Sequence, residues 1–221
     1  MSAKNNKSMK KKAWMIALLL PITITVYVLL IISWNSLQNV PIIQRLTFEI
    51  KDSTMQVEIP EEYLDIYMAA EEEFGVPWTL LAAHHRIETK FSSMSTLVSP
   101  VGAEGHMQFM PGTFVGWSHP SCSDLGKGDI PEEDKVNPEV IEMYGGYGID
   151  ANGDGVADPF DIEDAIFSAA NYLAASGAAD GDIEKAVFNY NRSEKYVEDV
   201  MYYYELYSTQ HEETQEVTKR N

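Results

Sequence analysis

Residues 99–113 read SPVGAEGHMQFMPGT, downstream of a glutamate, Glu88, that closes the apolar stretch WTLLAAHHRIE (residues 78–88). Glycines in such a segment let backbone groups come close to a ligand, and Gln108 carries both an amide donor and an acceptor for a polar substrate such as a sugar. Taken alone, the segment is equally a structural turn. Pro77 suits the first turn of a helix that runs to about Thr89 through Leu80, Leu81 and Ile87. Glu88 then falls four residues after His84 and seven after Leu81, on or beside the apolar stripe. Burial penalises a carboxylate, so a glutamate placed there can keep its proton near neutral pH and act as a general acid. Spacing alone leaves a solvated glutamate at a helix end as the other reading.

Helical periodicity extends to both sides. Tyr63, Leu64, Tyr67, Met68 and Phe74 share one face of a helix ending at Gly75. Ile162, Ala165, Ile166, Ala169 and Leu173 line another, with Gly177 as its stop. Two more helices are expected near 182–190 and 194–207, a short one near Pro111, and irregular chain over 118–149. The fold class is therefore mainly α, with one helical domain over 60–208 and a polar tail at 209–221. Residues 46–59 alternate like strands, which predicts a small β-hairpin within a stalk at 35–59.

The chain has 221 residues, 16 Lys+Arg and 34 Asp+Glu, for a formal charge of −18. That balance argues against a general nucleic-acid binder, which needs a basic face for phosphates. The single cysteine, Cys122, excludes an intrachain disulfide and a cysteine-based metal cluster. The charge is uneven: residues 1–12 hold five lysines and no acid, whereas all 34 acids and the other eleven basic residues lie beyond residue 34, for −23. Between them, residues 13–34 are uncharged and rich in Ile, Leu and Val, with Trp14 and Trp34 at the ends. About 20 apolar residues cross a bilayer, and interfacial tryptophan suits the headgroup region. This predicts a single-pass membrane protein with a basic cytoplasmic tail at 1–12 and the rest on the extracytoplasmic side. A cleaved signal peptide is the alternative, although the run is long for one.

Glu88-Thr89-Lys90-Phe91, then residues 99–113, then Tyr190-Asn191 resemble, in order, three signature motifs of the lytic murein transglycosylases. The resemblance covers about Tyr63 to Tyr207 and implies a lysozyme-like (goose-type, SLT) α-helical fold. It departs from the usual pattern at Thr89 for Ser, His106 for an apolar residue, Asn189 for Ala and Ser193 for Gly. It implies that Glu88 cleaves the bond between N-acetylmuramic acid and N-acetylglucosamine, first as acid on the leaving oxygen, then as base on the muramyl 6-hydroxyl. A 1,6-anhydro ring results. Ser99, Gly105, Met107, Gln108, Tyr190 and Asn191 would contact peptidoglycan strands, and an envelope protein complex is a conceivable partner. A hydrolytic muramidase of the same fold and an inactive glycan-binding scaffold module are the rival readings. No second carboxylate is marked by a motif, with Glu104 and the acids of 129–134 left open.

Asp150, Asn152, Asp154, Val156, Asp158 and Asp161 occupy the ligand positions of an EF-hand-type calcium loop, with Gly155 at its turn. Aspartate in place of glutamate at the last position shortens the reach, and Asp161 also suits a helix N-cap. The stretch and the helix after it resemble the membrane-bound lytic transglycosylase B branch, which implies a structural Ca²⁺ and no cofactor for catalysis. An Asx-turn loop without metal is the alternative. His84 and His85 lack the second ligand pair of a zinc-protease motif and read as packing or substrate contact. Tyr202, Tyr203, Tyr204 and Tyr207 read as helix packing.

Overall fold

A computed structural model describes residues 59–123, 126 and 128–220, with side chains to residue 213. Among them the protein is mainly helical. No strand occurs, only isolated bridges from Glu104 to Val98 and to Phe109. A 3₁₀ turn, Glu61–Tyr63, runs into α1 (Leu64–Phe74), which ends at Gly75 with φ 70°, in the left-handed conformation that glycine adopts without strain. Next comes α2 (Trp78–Thr89), for which Pro77 is the N-cap and not a first-turn residue.

Seven consecutive residues of α2, Thr79 to His85, are buried, together with Thr89. A helix apolar on every side belongs in the middle of a protein, and α2 packs against α1, α6 (Ile162–Ala175) and α8 (Glu194–Arg220). Leu80 and Leu81 are fully buried, each contributing about 1.5–3 kcal/mol by leaving water. Around them lie Tyr67 and Ala70 of α1, Ile166, Ala169 and Leu173 of α6, and Val200 and Tyr207 of α8. The short α7 (Ile183–Tyr190) sits beside α6 and α8. This packing fixes the C-terminal end of α2, where Glu88 stands.

Between α2 and α6 come α3 (Pro111–Val115), α4 (Glu132–Lys135) and α5 (Pro138–Tyr144). The expectation of irregular chain over 118–149 is thus corrected by two short helices. The overlooked signal is Asn137-Pro138: the asparagine side chain accepts from the N–H groups of Glu139 and Val140, and proline takes the first helical position. The helix expected over 194–207 continues through the polar segment to Arg220.

The hairpin expected at 46–59 falls on residues outside the described ones, apart from Ile59, and so does the segment 13–34. The single-pass localisation is corrected: among the described residues no helix is long and apolar enough to cross a membrane.

Candidate active site

Glu88 stands one residue before the end of α2, half-buried, on the wall of a cleft of about 350 Å³. Burial lifts its carboxyl from the ordinary 4.5 to about 7, against the opposing pull of a hydrogen bond from Tyr196. The Tyr196 hydroxyl, reaching in from α8, donates to Glu88 Oε1. Tyr196 Oη also lies 3.0 Å from His84 Nδ1. His84 is buried and neutral, its pKa pushed down to about 3 by desolvation. With the Tyr196 proton committed to Glu88, His84 must carry its hydrogen on Nδ1 and donate it to Tyr196. Tyr196 thereby occupies Oε1, which leaves Oε2 as the oxygen that holds the transferable proton.

Past Glu88 the backbone does something unusual. Lys90, Phe91 and Ser92 have φ of 53°, 56° and 62°, three non-glycine residues in a row in the left-handed region. Such residues cost roughly 1–2 kcal/mol each, so the surroundings must hold them. The N–H groups of Lys90 and Phe91 return to the carbonyls of Arg86 and His85, and Ser92 N–H bonds Thr89 Oγ1 at 3.2 Å. Thr89 Oγ1 in turn donates to the His106 carbonyl at 2.8 Å, tying the helix end to the 99–113 segment. A serine hydroxyl could make that same bond.

A side-chain relay completes the clamp. Tyr67 Oη lies 2.6 Å from His85 Nδ1, His85 Nε2 lies 2.6 Å from Ser92 Oγ, and Ser92 Oγ lies 2.6 Å from His106 Nδ1. His106 Nε2 then meets the Phe160 carbonyl at 2.8 Å. Burial keeps the Tyr67 hydroxyl protonated and pushes His85 down to about 3. Only one direction satisfies every partner: Tyr67 donates to His85, His85 to Ser92, Ser92 to His106, and His106 to the carbonyl. His106, unexpected at its position, therefore faces this chain and not the cleft.

The cleft wall holds Ser99, Gln108, Tyr190 and Asn191 beside Glu88, with Val101, Ala103, Met110 and Arg192. Gln108, at φ 51°, spends its amide N–H groups on the carbonyls of Leu97 and Gly105, at 2.9 and 2.8 Å. Of the donor and acceptor expected for a ligand, only the amide oxygen is left. Ser99 Oγ accepts from Ala103 N–H. Tyr190 Oη donates to the Met107 carbonyl at 2.8 Å, while its ring packs on His84, Phe109 and Tyr172. Gly105 and Met107 are not on the wall. Met107 is fully buried, and a Cβ on Gly105 (φ +81°) would come within 1.9 Å of the Pro159 carbonyl oxygen. Both pack where ligand contact is expected. Glu104 is drawn away too, paired at 2.9 Å with Lys135.

The 150–161 loop is ordered by its own acids. Asp150 accepts from the N–H groups of Gly153, Asp154 and Gly155; Asn152 from Asp154; Asp154 from Val156; and Asp158 from Phe160. Asp161 is the N-cap of α6. The residue missed by spacing is Asp164, fully buried, whose carboxylate accepts from Ala151, Asn152 and Asp158. Among the described residues no group of three or more His, Cys, Asp or Glu is placed to share a metal ion. The donor oxygens suit calcium in kind, and in this arrangement they accept from backbone N–H groups.

Tyr196 is the other omission. It was legible only as one tyrosine on an amphipathic helix, because its partner lies more than a hundred residues away. Glu88 makes stability depend on pH with a definite sign. Its folded pKa exceeds the unfolded one, so its contribution is complete below about pH 4.5 and is lost as pH rises to about 7, by about 3 kcal/mol. In thermal melts, Glu88→Gln is expected to match the parent at pH 4 and to melt higher at pH 8. An equal difference at both pH values contradicts the shift.

No family model and no solved structure matches the chain. It is similar to an L-Ala–D-Glu endopeptidase of Bacillus subtilis (strain 168), 27% identical over 135 residues, which is 61% of this chain and 38% of that protein. The chain thus spans well under half the length of the curated relative it matches.

Proposed function

We propose that this chain is a peptidoglycan-cleaving enzyme of lysozyme-like fold that breaks the glycan strand by lytic transglycosylation. The observation that carries the reading is one half-buried carboxyl, kept protonated near neutral pH, on a cleft wall without a second carboxylate among the described residues. Glycosidases that use water commonly employ a paired acid as base or nucleophile. The motif resemblance points the same way. The relative's name adds support for the substrate class, since an L-Ala–D-Glu bond is a linkage of peptidoglycan stem peptides.

The chemistry follows from the two oxygens of Glu88. Oε2–H gives its proton to the glycosidic oxygen as the C1–O bond breaks, and the N-acetylglucosamine 4-hydroxyl leaves. The carboxylate so formed takes the proton of the muramyl 6-hydroxyl as O6 closes on C1. Glu88 ends protonated, and no water is consumed. Tyr196 holds Oε1 throughout and steadies the carboxylate in the middle of the sequence. The Gln108 amide oxygen and the Asn191 side chain are among the polar groups available to hold the N-acetyl sugars.

Muropeptides released from sacculi test the reading. Anhydro ends, one water lighter than reducing ends, are expected from the parent chain, and none from Glu88→Gln. Reducing ends alone assign a hydrolytic muramidase, and peptides cut between L-Ala and D-Glu transfer the relative's activity to this chain. Binding to sacculi without release, unchanged in Glu88→Gln, assigns a scaffold module. Tyr196→Phe is expected to lower the rate by roughly 10–100-fold. It also moves the alkaline limb of the pH profile upward, because the bond that holds the Glu88 pKa down is gone. A limb that stays in place contradicts that role.

Calcium at 150–161 is a separate proposal, resting on oxygen donors in EF-hand order, and its role would be structural. A melting temperature raised by calcium and lowered again by chelator supports it, and one indifferent to both removes it.

A further inference from the structure

The cleft beside Glu88 adjoins a second space of about 390 Å³, and the two share Gln108, Met110, Tyr190 and Arg192 on their walls. The outer space is walled also by Thr113, Trp117, Tyr172 and Asn189, none of which the proton transfer uses. Trp117 is 58% exposed, an unusual state for so large an aromatic. It is nevertheless backed closely: Gly126, at φ +89°, lies so near that a Cβ there would come within 3.1 Å of the indole. A fixed, open indole face gives a sugar ring a flat apolar surface.

Among the described residues, Glu88 and Arg192 are the only charged side chains on the walls of the two spaces. Burial raises the Glu88 pKa to about 7, so that group carries at most part of a charge near neutral pH, whereas Arg192 carries a full one. Arg192 is exposed and forms no ion pair among the described residues, in a chain where acids outnumber bases 34 to 16. Its guanidinium lies 5.6 Å from the Phe188 ring centroid. The ring lies within cation–π range, and the exposed guanidinium has N–H groups to offer a planar two-oxygen acceptor. The chain carries −23 beyond residue 34, so an anionic polymer meets repulsion over most of that part, and a cation on the groove wall discriminates strongly.

We infer that the outer half of the groove is a subsite for a carboxylate-bearing substituent of the glycan, recognised by Arg192, with Trp117 and Asn189 seating the adjoining residue. The inference rests on the reading that a wall strand lies across Glu88. A neutral N-acetylglucosamine polymer offers no group for this subsite. A wall strand offers two sources of one chemistry, the stem-peptide carboxylates and, where the peptide is gone, the bare lactyl carboxylate.

Calorimetric binding separates these, with the full chain carrying Glu88→Gln so that nothing is cleaved. The three probes are soluble peptide-bearing strands, peptide-stripped strands, and stripped strands whose carboxylates have been converted to methylamides. Peptide-bearing strands are expected to bind about tenfold tighter than the neutral ones. Adding Arg192→Ala brings that ratio to one, Arg192→Lys keeps part of it, and high salt weakens it. Stripped strands that share the preference identify the lactyl group; stripped strands that bind like the methylamides identify the stem peptide. A ratio that survives Arg192→Ala, or no ratio at the outset, overturns the subsite. Because binding is read without turnover, a preference for anionic strands together with a parent chain that releases no product refutes the cleavage reading and leaves the subsite standing.

Discussion

Taking a single carboxyl group out of water, while leaving it open to a cleft on one side, is the constraint on which the rest of this structure turns. Glu88 can be so placed only because α2 is buried along most of its length, held by α1, α6 and α8. Leu80, Leu81, Ala82 and Ala83 give that helix no polar side to turn to solvent. The hydrophobic core and the chemistry of the site are therefore one arrangement: the packing that stabilises the fold raises the pKa of the group that would react. Tyr196 tempers the penalty with one hydrogen bond, drawn from the helix that contributes most to covering α2.

A second arrangement sets the geometry. Three successive left-handed residues after Glu88 turn the chain back, and the strain is offset by a directed chain of hydrogen bonds from Tyr67 through His85, Ser92 and His106 to the Phe160 carbonyl. The chain reaches from α1 to the 150–161 loop and passes behind the 99–113 segment. His106 N–H also bonds the Pro159 carbonyl, where Gly105 allows the two backbones to meet. Order in the acidic loop, imposed by Asp164, is thus transmitted to the strip of backbone that presents Gln108 to the cleft. The loop shapes the site without contributing a side chain to its wall.

The sequence was most informative where local periodicity and short-range capping decide the outcome. α1 and α6 were legible as apolar stripes with stop residues and α2 as an apolar run, while Leu81 and His84 put Glu88 on or beside that run and left a solvated glutamate as the other reading. Ser99, Gln108, Tyr190 and Asn191 share one wall with Glu88, but their spacing said nothing of how their polar atoms are spent. Gln108 turns its donors inward, and Gly105 and Met107 serve packing. What stayed hidden depends on long-range contact: Tyr196 and His84 become partners only when α8 crosses α2, and Asp164 matters only because the loop folds back on it. Asn137-Pro138, by contrast, was a local helix start available to inspection and passed over amid glycines and acids.

Titration of the Glu88 side-chain carboxyl by ¹³C NMR, assigned by its disappearance in Glu88→Gln, examines the central claim without any substrate. The account predicts a midpoint near 7, set by burial and moderated by Tyr196. A midpoint near the ordinary 4.5 would mean a solvated carboxylate with no proton to give at neutral pH, and would contradict the account.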